Sequence, residues 1–234
     1  MLTLAFDTST QRPSLAVVDG GRALAELDLG EAPGGGRRVL EAVHGVLGRA
    51  GVGVADLGRI VVGVGPGGFT GLRIGVSTAL GLGHAARVDV VGSSSLEALA
   101  LGILREYSEA RLVAPAIDAR RKEVFAAVYE VGRSGLQEIA APRAMSPESL
   151  SGVLREAGAR PDETVCGGSG VEAYRERMGG GPAVLLAPGA AGHYPRAIDL
   201  VARVAAGAGR PARPVYCRLP DAEEKRRARE AASG

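Results

Sequence analysis

The chain has 234 residues, 46% hydrophobic and 23% charged, with a formal net charge of +2; this is the balance of a folded protein able to bury a core. No apolar run reaches membrane-spanning length, and the first residues enter a strand instead of a basic-then-apolar leader, so a cytoplasmic location and no membrane partner are expected. The basic residues are spread apart from Arg120-Arg121-Lys122 and the tail from Lys225 to Arg229, only Lys122 and Lys225 are lysines, and tryptophan is absent, so neither a strong autonomous nucleic-acid surface nor a base-stacking platform is expected.

Leu2-Thr3-Leu4-Ala5-Phe6 reads as a strand ending at Asp7. Thr8-Ser9-Thr10 is a polar turn, Ser14 to Val18 a second strand, Asp19-Gly20-Gly21 a turn, and Arg22 to Leu29 a third strand. From Arg37 to Ala50, Val39, Leu40, Val43, Val46 and Leu47 fall at helical spacing. Arg59 to Val64 is an apolar, β-branched strand; a Gly/Pro cluster punctuates it, and a helix is expected from Thr70 to Ala86. A lobe boundary is expected between Ser93 and Ala110.

The opening plan then recurs. Leu112 to Ile117 is a strand ending at Asp118, Arg120-Arg121-Lys122 a basic turn, and Val124 to Tyr129 a strand; Gly132-Arg133-Ser134-Gly135 turns into Leu136 to Ile139. Asp7 and Asp118, Val17 and Val128, and Gly21 and Gly132 share one offset of 111 residues, an ordered series that argues for a duplicated lobe. Ser146-Pro147 caps a helix running to Ala157, Thr164-Val165-Cys166 is a short strand, Gly167-Gly168-Ser169-Gly170 a tight turn, and Val171 to Met178 a helix. The expected architecture is α/β, two similar lobes of mixed sheet flanked by helices: residues 1–100, residues 101–220 with a last helix packing back on the first lobe, and a charged tail, 221–234, that is frayed or disordered.

The glycine block from Val62 to Gly75 invites three readings. Gly63, Gly65 and Gly68 spell G-x-G-x-x-G, but Asp89 begins a strand-like run instead of ending the second strand, and Pro66 removes an amide from the turn. A Walker A loop fails because no lysine follows the glycines. The third reading concerns packing. Gly71, Gly75, Ala79 and Gly83 recur every four residues beside Leu72, Val76 and Leu80, and helix-interior glycines cost roughly 1 kcal/mol each relative to alanine. A compensating close contact is required, with the chain's own core or with another subunit.

Chemistry-bearing residues are sparse. His44, His84 and His193 are isolated, without the i, i+4 pairing that converges two imidazoles on a metal, so no metal site and no catalytic residue are expected. Cys166 and Cys217 are far apart and lack C-x-x-C spacing, which points to reduced thiols. Asp7 and Asp118, each closing a strand before a polar turn, are read either as Asx caps of those turns or as carboxylates organising magnesium beside a phosphate.

A duplicated strand–Asp–turn–hairpin plan resembles the superfamily of actin, sugar kinases and heat-shock chaperone ATPases, a duplicated actin-like, ribonuclease H-like fold. Within it, Ala5 to Thr10, Val62 to Gly75, Ser94 to Leu99, Ala116 to Arg120 and Pro214-Val215-Tyr216 are similar to the TsaB family. Members carry a histidine–serine pair at the start of the first helix, where this chain has Gly34-Gly35-Gly36-Arg37-Arg38. The resemblance implies a non-catalytic scaffold that binds the catalytic subunit TsaD, works with the ATPase TsaE in a ternary complex, meets tRNA through that complex, and forms a homodimer when alone. The product is threonylcarbamoyladenosine beside the anticodon. It also implies a partner interface of two helices, expected to use Val39, Val43, Val46, Gly71, Leu72, Gly75, Val76, Ala79 and Gly83, such that Gly75→Leu would separate the complex and spare the fold. Asp7, Thr8, Thr10, Asp118, Gly167 and Gly168 hold the places of a nucleotide site, so a vestigial, weakly held nucleotide with magnesium is the implied cofactor. The competing reading is a small-molecule kinase or ATPase of the same fold.

Overall fold

The computed structural model describes residues 1–31 and 38–218. The Gly34–Arg37 departure and the charged tail lie outside the described residues. In chain order, β1 (Leu2–Asp7), β2 (Ser14–Asp19) and β3 (Arg22–Asp28) form an antiparallel meander, followed by α1 (Val39–Ala50), β4 (Arg59–Gly63), α2 (Phe69–Ala86), β5 (Asp89–Ser93) and α3 (Ser95–Glu106). The second series is β6 (Leu112–Arg120), β7 (Glu123–Gly132), β8 (Gly135–Met145), α4 (Pro147–Glu156), β9 (Thr164–Gly167), α5 (Ser169–Met178), β10 (Val184–Leu185) and α6 (Ala197–Arg203), with β11 (Arg210–Pro211) appended. Each series reads βββαβαβα. In both sheets the first strand lies between an antiparallel second strand and a parallel fourth, giving the orders β5-β4-β1-β2-β3 and β10-β9-β6-β7-β8, with β11 added to β5. The duplication read from the 111-residue offset is thus a duplication of topology.

Alternation along the strands sorts side chains into layers. Leu4, Phe6, Leu15, Val17, Ile60 and Val62 face α1 and α2, whereas Ala5, Ala16, Val18 and Val61 face Ala98 of α3 and Ala197 and Leu200 of α6. On the second sheet Val113, Ile117, Phe125 and Tyr129 pack on α3, and Leu112, Ala114, Val124 and Val128 pack on α4 and α5. The order is helix, sheet, helix, sheet, helix, with α3 and α6 in the shared central layer. Glu97 of α3 lies buried there and accepts from Arg203 Nε at 2.8 Å and Arg210 Nη2 at 2.5 Å. Losing one partner of such a group strands a buried charge, at about 3–5 kcal/mol.

The helix face expected to meet a partner is turned inward. Val39, Val43, Val46, Leu72, Gly75, Val76, Ala79 and Gly83 are all buried in the chain's own first core, and Gly71 is half-buried beside them. A β-carbon at Gly71 would overlap the Thr8 carbonyl, one at Gly75 the Thr8 hydroxyl, and one at Gly83 the Val90 side chain. The small residues let α2 settle onto the β1–β2 turn and β5, so the core is what compensates for the glycines, and the expected Gly75→Leu separation of subunits is corrected to a fold defect. Gly81, on the opposite face, has open space where its β-carbon would be.

Gly75→Ala is accordingly expected to lower stability by about 1–3 kcal/mol through overpacking, while Gly81→Ala raises it by up to about 1 kcal/mol through helix propensity. Urea unfolding of the two variants checks this; equal shifts would mean that the stripe is not packed as described.

Candidate functional site

Three features of the chain could act on another molecule: the turn after β1, the turn after β6, and the outer face of α1 and α2. At the first, Asp7 Oδ1 accepts from the Ser9 amide at 2.8 Å and the Ser9 hydroxyl at 2.5 Å, and Oδ2 accepts from the Ser95 hydroxyl at 2.6 Å. Gly63 presses against the same carboxylate, where a β-carbon would collide, and the side chain is closed to solvent. The Gly68 amide donates to the Ser9 carbonyl at 2.7 Å, laying the glycine loop over the turn. Thr8 Oγ1 donates to the Gly71 carbonyl at 2.8 Å, and Thr10 Oγ1 bonds the Arg12 backbone. Every group that a hydrated cation or a phosphate would need is engaged with the chain itself.

The second turn is engaged likewise. β6 and β9 are parallel neighbours, which brings Asp118 beside Gly167-Gly168-Ser169. The Asp118 amide donates to Ser169 Oγ at 3.1 Å; its carboxylate accepts from the Arg120 amide at 2.8 Å and the Tyr174 hydroxyl at 3.0 Å, and pairs with Arg120 Nη1 at 3.2 Å. Gly167 packs against Ile103, and Gly168, at φ 120°, against the Ala116 backbone. The residues present do not fit a nucleotide–magnesium group: the Asx-cap reading describes both aspartates. Buried His193 bonds the Ala187 carbonyl and the Gly168 backbone, while His44 and His84 are exposed on α1 and α2. Burial pushes the Cys166 thiol up to about 12, away from reactivity.

The outer helix face differs in kind. Leu40 is 60% and Leu80 48% exposed. Around them lie His44 and Gly48 on α1 and Arg73, Ser77, Gly81 and His84 on α2, all exposed and at helical spacing. The face is shallow and small-sided, and no β-carbon at Gly45, Gly48 or Gly81 would meet anything. At its N-terminal end Tyr216, carried by the segment after β11, stacks on Phe69 at 4.9 Å and accepts from Arg73 Nε at 3.1 Å, while Arg73 covers the Phe69 ring at 4.0 Å. The Val215 amide bonds the Val64 carbonyl at 2.8 Å, which anchors that segment on the glycine loop.

This arrangement matches a known lineage. A family model described as "TsaD: tRNA N6-adenosine threonylcarbamoyltransferase" matches residues 36–188. The tRNA threonylcarbamoyladenosine biosynthesis protein TsaB of Haemophilus influenzae is 32% identical over 181 residues, covering 74% of each chain. The chain belongs to the TsaB family. The Escherichia coli TsaB is 36% identical over 136 residues, and the matched stretch spans 58% of its length. Among solved structures, an uncharacterized Pseudomonas aeruginosa protein with similarity to peptidase YeaZ superposes with a TM-score of 0.76 at 32% identity, covering 93% of this chain and 99% of the other. In this TsaB-family chain the quoted motifs Ala5–Thr10, Val62–Gly75 and Pro214–Tyr216 meet at one place, the covered first turn. Sequence reasoning named Leu40 and Leu80 among the apolar residues of the two helices but not that they face outward with Gly81, nor that the last motif packs on Phe69 and Arg73; the small-residue periodicity that drew attention inward also runs through Ser77 and Gly81 on the other side.

Burial holds the Asp7 carboxyl above the ordinary carboxylate range despite the hydrogen bonds from Ser9 and Ser95, which act in the opposite direction. The folded chain then binds this proton more tightly than the unfolded chain, so the contribution is full below about pH 4 and is lost as pH rises through the folded value. Relative to Asp7→Asn, the parent chain should lose stability as pH rises above about 4. Urea unfolding across that range measures the difference, and a difference flat in pH would contradict the burial argument.

Proposed function

We propose that the chain is the non-catalytic partner of TsaD in forming threonylcarbamoyladenosine beside the anticodon of tRNA, and that it docks through the outer face of α1 and α2. The observation that carries the reading is the pairing of that small-residue face, with Leu40 and Leu80 exposed on it, with two turns whose carboxylates are engaged by groups of the chain itself. The relatives' names place them in tRNA threonylcarbamoyladenosine biosynthesis, and the family model that matches this chain bears the transferase's own name. Two chains of one ancestry can pair through equivalent faces, as two copies of either would. TsaD and a second copy of this chain would therefore compete for α1 and α2, and TsaE and tRNA would join the TsaD-bound form. Catalysis belongs to the partner in this reading.

Size-exclusion chromatography with light scattering, on this chain mixed with TsaD of the same organism, tests it. The mixture should give a heterodimer, and Leu40→Arg and Leu80→Arg should each weaken association roughly 30-fold or more, as central anchors do, with the thermal midpoint unchanged because both side chains are exposed. Absence of a complex, or indifference to both substitutions, would refute the proposed interface.

A further inference from the structure

A cation on the outer face of α2 is held from two sides while its hydrogen-bonding edge stays open. The Arg73 guanidinium lies over the Phe69 ring at 4.0 Å, and its Nε donates to the Tyr216 hydroxyl at 3.1 Å. Phe69 stands one turn earlier on the same helix. Tyr216 arrives from 143 residues further along the chain and stacks on Phe69 at 4.9 Å. Its neighbours keep it there: the Val215 amide donates to the Val64 carbonyl at 2.8 Å, and the Cys217 thiol to the Pro142 carbonyl at 3.4 Å. Other arginines spend their forks on the chain's own carboxylates, as Arg105 does on Asp199, Arg177 on Glu148 and Arg203 on Glu97. Arg73 spends only Nε; among the described residues, its Nη1 and Nη2 meet no acceptor.

An exposed arginine ordinarily gives up much rotamer freedom when it enters an ion pair. Here folding has already imposed that loss, so a ligand of the open edge meets a preorganised group. The planar pair Nη1 and Nη2 matches a carboxylate in bidentate geometry. Arg73 is exposed in line with Ser77, Leu80 and His84, and Leu80 lies two turns, roughly 10 Å, further along the helix. The open fork therefore ends the same face on which Leu40 and Leu80 stand. Charge narrows the occupant. α1 and α2 carry Arg49, Arg73, His44 and His84 against a single acidic residue, Glu41, and Arg87 and Asp89, just past α2, offset each other. A second copy of this chain would bring the same basic set and one carboxylate to the contact, whereas a different protein with an acidic surface complements it.

We propose that Arg73, clamped by Phe69 and Tyr216, is the polar anchor of the docking face: it receives a carboxylate of the protein partner and favours that partner over a second copy of this chain. This rests on the reading that α1 and α2 dock TsaD. The test is titration calorimetry of the chain with TsaD of the same organism over a salt series, comparing the parent with Arg73→Gln, Arg73→Lys and Tyr216→Phe. Arg73→Gln should weaken the complex about tenfold or more near 0.1 M salt and flatten its salt dependence. Arg73→Lys keeps the charge without the fork and should recover the salt dependence and part of the affinity. Tyr216→Phe removes only the hydroxyl that orients Nε, so it should weaken binding less than Arg73→Gln and keep the salt dependence. Self-association of the isolated chain, followed by light scattering, should not weaken in Arg73→Gln. Parent-like affinity and salt dependence in Arg73→Gln, with or without a lower thermal midpoint, would reduce Arg73 to a packing residue and overturn the proposal. Equal weakening of self-association would overturn the preference for a different partner. Loss of tRNA affinity in the preformed complex, with TsaD affinity unchanged, would assign the fork to a phosphate and overturn it too. A parent chain that binds no TsaD refutes the docking reading and this proposal together; a parent complex indifferent to Arg73→Gln refutes this proposal alone.

Discussion

The molecule depends on the close approach of the glycine block to the turn after β1. Gly63 lies against Asp7, Gly67 against Ser9, and Gly71 and Gly75 against Thr8, and at each of the four a β-carbon would overlap its neighbour. Removing four side chains lets a loop and a helix lie on a buried carboxylate with every polar group met, which a bulkier surface could not achieve without stranding Asp7 or opening a void. The same contact fixes α2 on the sheet and closes the turn after β1, whose polar groups are then engaged by the chain itself. One packing solution therefore removes a small-molecule site and sets a helix face outward.

The duplicated series supplies the rest of the frame. Because α3 and α6 end their respective repeats, they occupy equivalent places and pack together between the sheets, α3 mainly on the second sheet and α6 on the first. Glu97 converts that apolar layer into a fixed one, since a buried carboxylate with two guanidinium partners tolerates little sliding. The segment after β11 then runs from Gly92 on the first sheet, past Val64, to Pro142, Ala119 and Glu123 on the second. Both lobes are thereby tied at their centre and along one side, an arrangement suited to presenting rigid faces.

Much of this was legible in the sequence, for physical reasons. Period-2 and period-3.6 patterns gave β1 to β4, β6, β7, α1, α2 and α4 to within a few residues, and the offset between Asp7 and Asp118 gave the repeat. The third helix escaped notice although Ser94-x-x-Glu97 is a start signal, and Ser94 does accept from the Glu97 amide; α3 is apolar almost all round because two sheets bury it, so no amphipathic stripe marks it. β8 runs six residues beyond Ile139, an edge strand with one exposed face and a proline that reads as a stop. At the candidate docking site, the sequence pattern drew attention to the face of α1 and α2 that the chain buries in its own core. Periodicity shows that a face is small; only packing shows what it rests on.

The glycines of the two outer helices separate these faces energetically. Inward glycines such as Gly71, Gly75 and Gly83 each weaken α2 by roughly 1 kcal/mol relative to alanine, and the chain recovers this through contacts that alanine would block. Gly45, Gly48 and Gly81 carry the same propensity cost and touch nothing where a side chain would stand. Within the isolated chain they carry that helix-propensity cost with no close contact to offset it. They become intelligible when a second surface approaches the backbone of α1 and α2 as closely as α2 approaches Thr8, with Leu40 and Leu80 reaching across it. The outward glycines of this fold are thus the complement of the inward ones: the inner set brings a helix onto its own sheet, and the outer set leaves the helix backbone open on the face that the proposed docking would use.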